Sequence, residues 1–311
     1  MKNTIKKYSG FSLLGLTALT SLIGACAAPS PMMMPMRVPM QSMSRPMMAQ
    51  TATRQQLQQD PTQLLAMLKE LYGKELADSM QQGKPTPAID QLLEQNGPAA
   101  YRLLSQDPGA RQQMYPYSDQ MVMREYNKPS PADNIAPISG PELQALLARL
   151  KPGDVILCGN DGSFVHGALY LGQGQIVHSL ATQPDMHDRF RGVVQESLAV
   201  YTARSERDSF VVLRPKGLTA QGFAKAANWS RQQVGKGYDS LFLNASDDRF
   251  YCTELVWKAM MQLQRPPRVR AHRAKYGWEM VTVEDFMDSP DFETVYTRTR
   301  QRAPIGKIHQ Y

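Results

Sequence analysis

The chain has 311 residues, of which 42% are hydrophobic and 20% are charged, a composition that suits a folded protein with a buried core. Its 35 basic and 28 acidic residues give a formal net charge of +7. Three of the lysines (Lys2, Lys6 and Lys7) belong to the N-terminal segment, which leaves 32 basic against 28 acidic residues. An excess this small does not favour nucleic acid as a partner.

The N-terminus is typical of an exported protein. Residues 1–25 join a basic start to an uncharged apolar stretch that is too short for a membrane-spanning helix, so they predict a signal peptide. The stretch ends in IGAC, which resembles the lipobox of bacterial lipoproteins. The resemblance implies that Cys26 carries lipid and starts the mature chain. Because Ala27 follows, we expect anchoring in the cell envelope, on the outer membrane facing the periplasm. The alternative is a secreted protein whose Cys26 forms a disulfide.

Residues 26–53 are rich in methionine and proline. Eight methionines fall between Met32 and Met48, and prolines at positions 31, 35, 39 and 46 interrupt them. Prolines at this density prevent a helix, so we predict a flexible tether. Thioether sulfurs also bind Cu(I), but no histidine or cysteine accompanies these methionines, which favours the tether over a copper site.

Residues 54–110 carry the pattern of a small helical region whose role the sequence does not indicate. One helical stripe consists of Leu64, Leu65, Leu68, Leu71 and Tyr72. Residues 111–138 are rich in Pro, Ser, Asp and Asn, and they predict a linker.

Residues 139–311 have the pattern of an α+β domain. SGPELQALLARL predicts a capped helix, and four segments predict strands: DVILC, VHGALYL, QIVHSL and SFVVLRP. LTAQGFAKAANWSRQQ predicts a second helix before FYCTELVWKAM. About 170 residues suffice for a buried core, so we expect this domain to fold without the segments before it.

Cys252 stands at the predicted start of a helix. After it, one face is apolar at helical spacing, formed by Leu255, Val256, Ala259, Met260 and Leu263. The positive end of a helix dipole lowers the pKa of a thiol, so Cys252 is a candidate nucleophile of low pKa. Two alternatives are an inert core cysteine and a disulfide with Cys158 in an oxidising compartment. We expect no such bond, because Cys158 ends an apolar strand as an ordinary buried residue.

The segment VHGALYLGQGQIVHSL predicts a hairpin with two histidines. With a loop at residues 172–174, Leu171 faces Gln175, and His166 and His178 become diagonal neighbours on one sheet face. A loop shorter by one residue would place them on opposite faces. Two histidines beside a thiol can act as a general base and the group that orients it.

Five segments resemble, in this order, the motifs of permuted papain-like cysteine amidases of the YaeF/YiiX type: KPGDVIL, FVHGALYLGQGQIVHSL, VVLRPKGL, GKGYDSLF and FYCTELVWKA. The resemblance covers about residues 140–300. It implies a circularly permuted, NlpC-like fold related to the lecithin:retinol acyltransferase family. In that fold an antiparallel sheet packs against helices, and the histidine strand comes before the cysteine helix.

The same resemblance implies roles for four residues. Cys252 matches the nucleophile, His166 the general base, and His178 the polar residue that orients His166. Tyr238 matches a tyrosine near the active site that could donate to the oxyanion, together with the backbone N–H of Cys252. Many YaeF/YiiX-type sequences have glutamate where His178 stands, whereas the acyltransferase branch has histidine, so amide hydrolysis and acyl transfer both stay open.

The remaining histidines (His187, His272 and His309) match no motif, and we expect them at the surface. The spacing of histidines and cysteines does not fit a zinc site, so we expect no metal and no cofactor.

Three hypotheses follow for the function. The first is a membrane-anchored thiol hydrolase that cleaves an amide bond in a peptide or glycopeptide of the cell wall. The second is an acyltransferase or lipase that acts on a lipid substrate through a thioester. The third is a structural or binding lipoprotein without catalysis.

Overall fold

The computed structural model describes residues 60–75, 87–126, 137–160, 163–181, 192–205 and 207–299. The predicted signal peptide, Cys26, the tether, His187 and His309 lie outside these residues. No helix in the described ranges combines the length and the apolar character needed to cross a bilayer.

The described chain begins with helices and continues with a mixture of strands and helices. The helices are α1 (Pro61–Glu70), α2 (Pro87–Gln106), α3 (Pro108–Tyr126), α4 (Gly140–Leu147), α5 (Leu198–Ser205), α6 (Ala220–Gln232), α7 (Cys252–Met260) and α8 (Val283–Met287). The strands are β1 (Val155–Asn160), β2 (Ser163–Gly172), β3 (Gln175–Leu180), β4 (Gly192–Ser197), β5 (Ser209–Pro215), β6 (His272–Arg273), β7 (Glu279–Met280) and β8 (Phe292–Arg298).

Six of these strands form one sheet in the order β4-β3-β2-β1-β5-β8, and each pair of neighbours is antiparallel. Strands β6 and β7 form a separate two-stranded ribbon. An antiparallel sheet packed against helices confirms the predicted α+β class, and it fits the permuted papain-like fold.

Both faces of the sheet are covered by helices, so alternate strand residues enter two different cores. One core joins α6, α7 and α8 to the strand residues Val155, Leu157, Leu169, Val177, Val211 and Leu213. The other core joins α4 and α5 to Ile156, Cys158, Ala168, Tyr170, Ile176, Phe210 and Val212. His166 and His178 stand an even number of residues from Ala168, Tyr170 and Ile176, so strand alternation places the two histidines on the face of this second core.

The β2–β3 hairpin differs from the prediction at its turn and agrees with it along the strands. Gly172 pairs with Gln175, so the loop has one residue fewer than predicted, and Gln173 and Gly174 both have positive φ angles (53° and 74°). A register shift between Tyr170 and Gly172 absorbs one residue as a β-bulge. The bulge compensates for the shorter loop, and Leu169 pairs with Val177 in the register that the prediction required.

Residues 108–126 form helix α3, so the predicted linker over 111–138 is wrong for most of its length. Pro108 occupies the first helical position, where a missing N–H costs nothing. The side chain of Asp107 accepts the backbone N–H groups of Gly109 and Ala110. Four side chains of the predicted linker are buried: Met114, Tyr115, Met121 and Val122.

Helices α1, α2 and α3 share a core with the α+β part of the chain. Their buried side chains belong to one cluster with Tyr238, Leu241, Phe242, Leu243, Tyr251, Tyr276 and Trp278. A polar contact reinforces the interface, since Ser118 and Ser240 lie 2.8 Å apart through their hydroxyl oxygens. The helices therefore form an integral layer of the structure, which we call the helical layer.

Candidate active site

Cys252 is the first residue of α7, as predicted. The preceding residue, Tyr251, is the N-cap, and its backbone N–H donates to the carboxyl group of Glu254 at 3.3 Å. On the other side, the hydroxyl of Ser179 in β3 donates to the carbonyl oxygen of Phe250 at 2.5 Å. These contacts fix the start of α7 beside the end of β3.

The thiol of Cys252 lies against the backbone of β2. Its sulfur is 3.9 Å from the carbonyl oxygen of Val165, and the backbone N–H of Gly167 is directed at it. Gly167 allows this approach because a Cβ atom there would lie 3.3 Å from a methyl group of Thr253. Val165 and Gly167 are the chain neighbours of His166, so the thiol lies beside the backbone of β2 at the position of the candidate base.

The thiol of Cys252 is not activated by its helix alone. Burial raises its pKa, while hydrogen bonds from the backbone N–H groups of Gly167 and Thr253 act in the opposite direction. For the thiol without a charged partner, this direction is opposite to the lowered pKa that the helix start predicts. A thiolate at neutral pH requires a cationic partner, which an imidazolium can supply.

His166 and His178 lie on one face of the sheet and in contact, as the predicted register required. Nε2 of His166 is 2.8 Å from Nδ1 of His178, and Nε2 of His178 is 2.8 Å from a carboxyl oxygen of Glu196. The three side chains come from the adjacent strands β2, β3 and β4. Tyr201 of α5 packs on both imidazole rings, with centroid distances of 5.3 and 4.9 Å. The result is a continuous row from Glu196 to His166.

Glu196 was missed by the reasoning from sequence. It stands in the segment GVVQES, whose pairing partner the sequence does not reveal, because residues 181–191 separate that segment from β3. In the structure Ile176 pairs with Glu196 and His178 pairs with Val194, which makes Glu196 a diagonal neighbour of His178.

Cys158 and Cys252 are both free thiols in this structure. Cys158 is fully buried, and burial raises its pKa to about 11. Its sulfur lies 3.3 Å from the hydroxyl of Tyr201. Cys158 is therefore a neutral thiol behind the histidine pair at neutral pH.

Tyr238 is buried, with its ring edge-on to that of Phe242 at a centroid distance of 6.0 Å. Its neighbour Gly237 exchanges backbone hydrogen bonds with Asp248 and Phe250, so Tyr238 lies beside the segment that leads to Cys252. The role of its hydroxyl at the oxyanion stays a prediction.

Asp239 and Glu254 are two fully buried carboxyl groups near the start of α7. Burial raises the pKa of Asp239 to about 7, although its oxygens accept the N–H groups of Leu241 and Leu243. Burial also raises the pKa of Glu254, which the ammonium group of Lys258 at 3.0 Å opposes.

His272 is partly exposed, with 37% of its side chain accessible, and it is bonded to Asp285. Its Nδ1 lies 3.0 and 3.1 Å from the two carboxyl oxygens of Asp285, and this contact raises its pKa. The sequence does not predict the contact between His272 and Asp285, because β6 and α8 are too short to give a clear pattern. Within the described ranges no group of three or more His, Cys, Asp or Glu side chains could hold a metal ion.

A cysteine that opens a helix beside a histidine strand of an antiparallel sheet, with the strand earlier in the chain, is the arrangement of a permuted papain-like fold. Comparison with known proteins agrees. Residues 149–296 match the family model described as permuted papain-like amidase enzyme, YaeF/YiiX, C92 family. The match points to a cysteine enzyme of the amidase or peptidase type.

Two similar proteins come from Escherichia coli. Protein YiiX of strain K12 is 40% identical over 62 residues, which cover 20% of this chain and 30% of that protein, so the chain matches less than a third of the length of this relative. A crystal structure of YiiX from strain O157:H7, described as a metalloprotein, covers 49% of this chain and 99% of its own, with 19% identity and a TM-score of 0.38.

Proposed function

We propose that the protein is a membrane-anchored thiol hydrolase that cleaves an amide bond, with Cys252 as nucleophile and His166 as general base. The observation that carries the proposal is the contact of the Cys252 thiol with the backbone on both sides of His166. Because Nε2 of His166 is in contact with His178, we assign Nδ1 as the nitrogen that accepts the thiol proton. The family match of residues 149–296 supports the same reaction type.

In the proposed reaction the proton of Cys252 passes to Nδ1 of His166, and the sulfur attacks the carbonyl carbon of the substrate. A C–S bond forms, and the carbonyl electron pair moves to oxygen, where the N–H of Cys252 and the hydroxyl of Tyr238 would donate. Breakage of the C–N bond then gives a thioester, and His166 returns its proton to the leaving amine. Water deprotonated by His166 attacks the thioester, and the proton returns to sulfur as the acid is released.

The substrate proposed first is a peptide or glycopeptide of the cell wall, because the predicted export places the enzyme there. The other candidate is a lipid, which His178 in place of glutamate favours. Mass spectrometry of Cys252 after exposure to muropeptides or to phospholipid vesicles separates the two. A peptide adduct supports amide hydrolysis, and a fatty acyl adduct supports acyl transfer.

The test of the nucleophile is alkylation of Cys252 by iodoacetamide from pH 5 to 9, read by mass of the labelled peptide. A raised folded-state pKa means that burial alone would keep the thiol protonated until the pH exceeds the reference value of about 8.5. Pairing with His166 has the opposite sign, so we expect labelling at pH 7 in the wild type and a loss of about tenfold in His166→Ala.

Two controls accompany this experiment. The matched variant is His272→Ala, which removes a half-buried histidine of the Asp285 pair and should leave the labelling profile unchanged. Cys252→Ala should remove the label and, on any substrate found, the activity. Labelling that starts only above pH 8.5 and ignores His166 would contradict the proposed dyad.

We also propose that the enzyme is held on the outer membrane through lipid on Cys26. The support is the predicted signal peptide followed by the lipobox-like sequence IGAC. In cells, the wild-type protein should fractionate with membranes, and Cys26→Ser should appear in the soluble fraction. A Cys26→Ser protein that stays with the membranes would show that another feature provides the anchor.

A further inference from the structure

We propose that Glu196 is a positioning residue that determines, through His178, which nitrogen of His166 carries a proton. The proposal rests on the proposed function in one respect, namely that His166 acts on Cys252. Its structural basis is the row of two 2.8 Å contacts that runs from Glu196 through His178 to His166.

The hydrogen-bonding capacity of the three groups permits one arrangement of protons when Glu196 is ionised. A carboxylate can only accept, so Nε2 of His178 must donate to it. A neutral imidazole that donates from Nε2 accepts at Nδ1, so Nε2 of His166 must donate to His178. The lone pair of His166 is then on Nδ1. Glu196 therefore holds His166 in the tautomer that can take a proton from the thiol.

The same arrangement survives the proton transfer. When His166 becomes an imidazolium, its Nε2–H still donates to His178, and the charge of Glu196 stabilises the cation across one neutral ring. His178 is fully buried and the side chain of Glu196 is 14% exposed, so water screens this interaction weakly.

Tyr201 packs on both imidazole rings, and the Cys158 thiol lies against the Tyr201 hydroxyl. Burial raises the pKa of Tyr201 and of Cys158, so both stay protonated near pH 7. The guanidinium of Arg207 contacts the hydroxyl of Tyr201 at 3.4 Å.

A purely structural role explains the contact less well. Strands β3 and β4 are joined along six residue pairs from Gln175↔Ser197 to Leu180↔Gly192, so their pairing does not depend on one side-chain contact. The structural explanation predicts a change in thermal stability alone. The positioning role predicts a change in tautomer and in the pH profile of the thiol.

The experiment uses the full mature chain with Glu196→Gln, Glu196→Ala and the control Glu293→Gln, which removes an exposed glutamate from the distant edge strand β8. Long-range ¹⁵N NMR of the histidine rings reads the tautomers. In the wild type we expect His178 and His166 both protonated at Nε2 above the pH at which they ionise. Both Glu196 variants should populate the other tautomer, and Glu293→Gln should match the wild type.

Alkylation of Cys252 is the second measurement. Without the carboxylate we expect labelling at pH 7 to slow about tenfold and its midpoint to rise by about one pH unit. Wild-type tautomers that differ from the expected pair, or Glu196 variants with wild-type tautomers and labelling, would overturn the proposal. If His166→Ala also labels like the wild type, the proposed dyad fails as well, whereas a slowed His166→Ala beside unchanged Glu196 variants refutes Glu196 alone.

Discussion

A chain that begins at residue 137 should fail to reach a stable native state, whereas a chain that begins at residue 54 should unfold in one cooperative transition. Removing the helical layer uncovers the large side chains that pack against it, namely Tyr238, Leu241, Phe242, Leu243, Tyr251 and Trp278. At about 1.5–3 kcal/mol for each buried side chain, the loss is on the order of 10 kcal/mol, which is comparable to the whole stability of a domain.

Near-UV circular dichroism, binding of a hydrophobic dye and thermal unfolding distinguish these outcomes. The short chain should bind the dye and lack a sharp transition, and the longer chain is its control. A short chain that unfolds cooperatively, with near-UV signals of packed aromatic rings, would show that residues 139–311 are an independent domain, which is the expectation from the sequence.

The helical layer also reaches the segment that carries the nucleophile. Arg249 stands three positions before Cys252, and its guanidinium lies 3.8 Å above the ring of Tyr115 and 3.2 Å from Asp119, both in α3. The same guanidinium donates to the carbonyl oxygen of Tyr238 at 3.3 Å. The helical layer, whose role the sequence did not indicate, therefore contacts and stabilises the backbone segment that precedes Cys252.

The sequence predicted the parts of the site that depend on local geometry. The start of α7 at Cys252 follows from helical periodicity, and the shared face of His166 and His178 follows from one hairpin. The bulge at Leu171 was not foreseeable, but it cancelled an error in the loop length.

The parts that failed depend on packing between distant segments. Proline and polar content predicted a linker where tertiary contacts of Met114 and Tyr115 stabilise α3. The low pKa expected for Cys252 rested on the helix start and on an imidazolium at His166, and burial of the thiol, which was left out, acts in the opposite direction. Glu196 meets His178 through a strand pairing that no local pattern encodes.

The docking of the helical layer depends on one glycine, so Gly97→Ala should lower the stability of the whole protein. A Cβ atom at Gly97 would overlap the carbonyl oxygen of Tyr276 and lie 2.6 Å from the Cβ of that residue. Tyr276 cannot retreat easily, because it has a positive φ angle of 64° and its hydroxyl donates to Asp90. We expect a loss of about 2–4 kcal/mol, although alanine favours the helix itself by up to about 1 kcal/mol.

Gly140→Ala is the matched control, since it makes the same change at the first position of α4, where no atom lies within 4 Å of the added Cβ. It should leave stability unchanged or raise it by up to about 1 kcal/mol. Thermal unfolding reads the difference, because 1 kcal/mol shifts the Tm of a chain of this size by about 2–4 °C. Gly97→Ala should therefore lower the Tm by about 4–16 °C, and Gly140→Ala should leave it unchanged or raise it slightly. Equal Tm values would mean that the helical layer does not pack closely against Tyr276, and the shared core would then be incorrect.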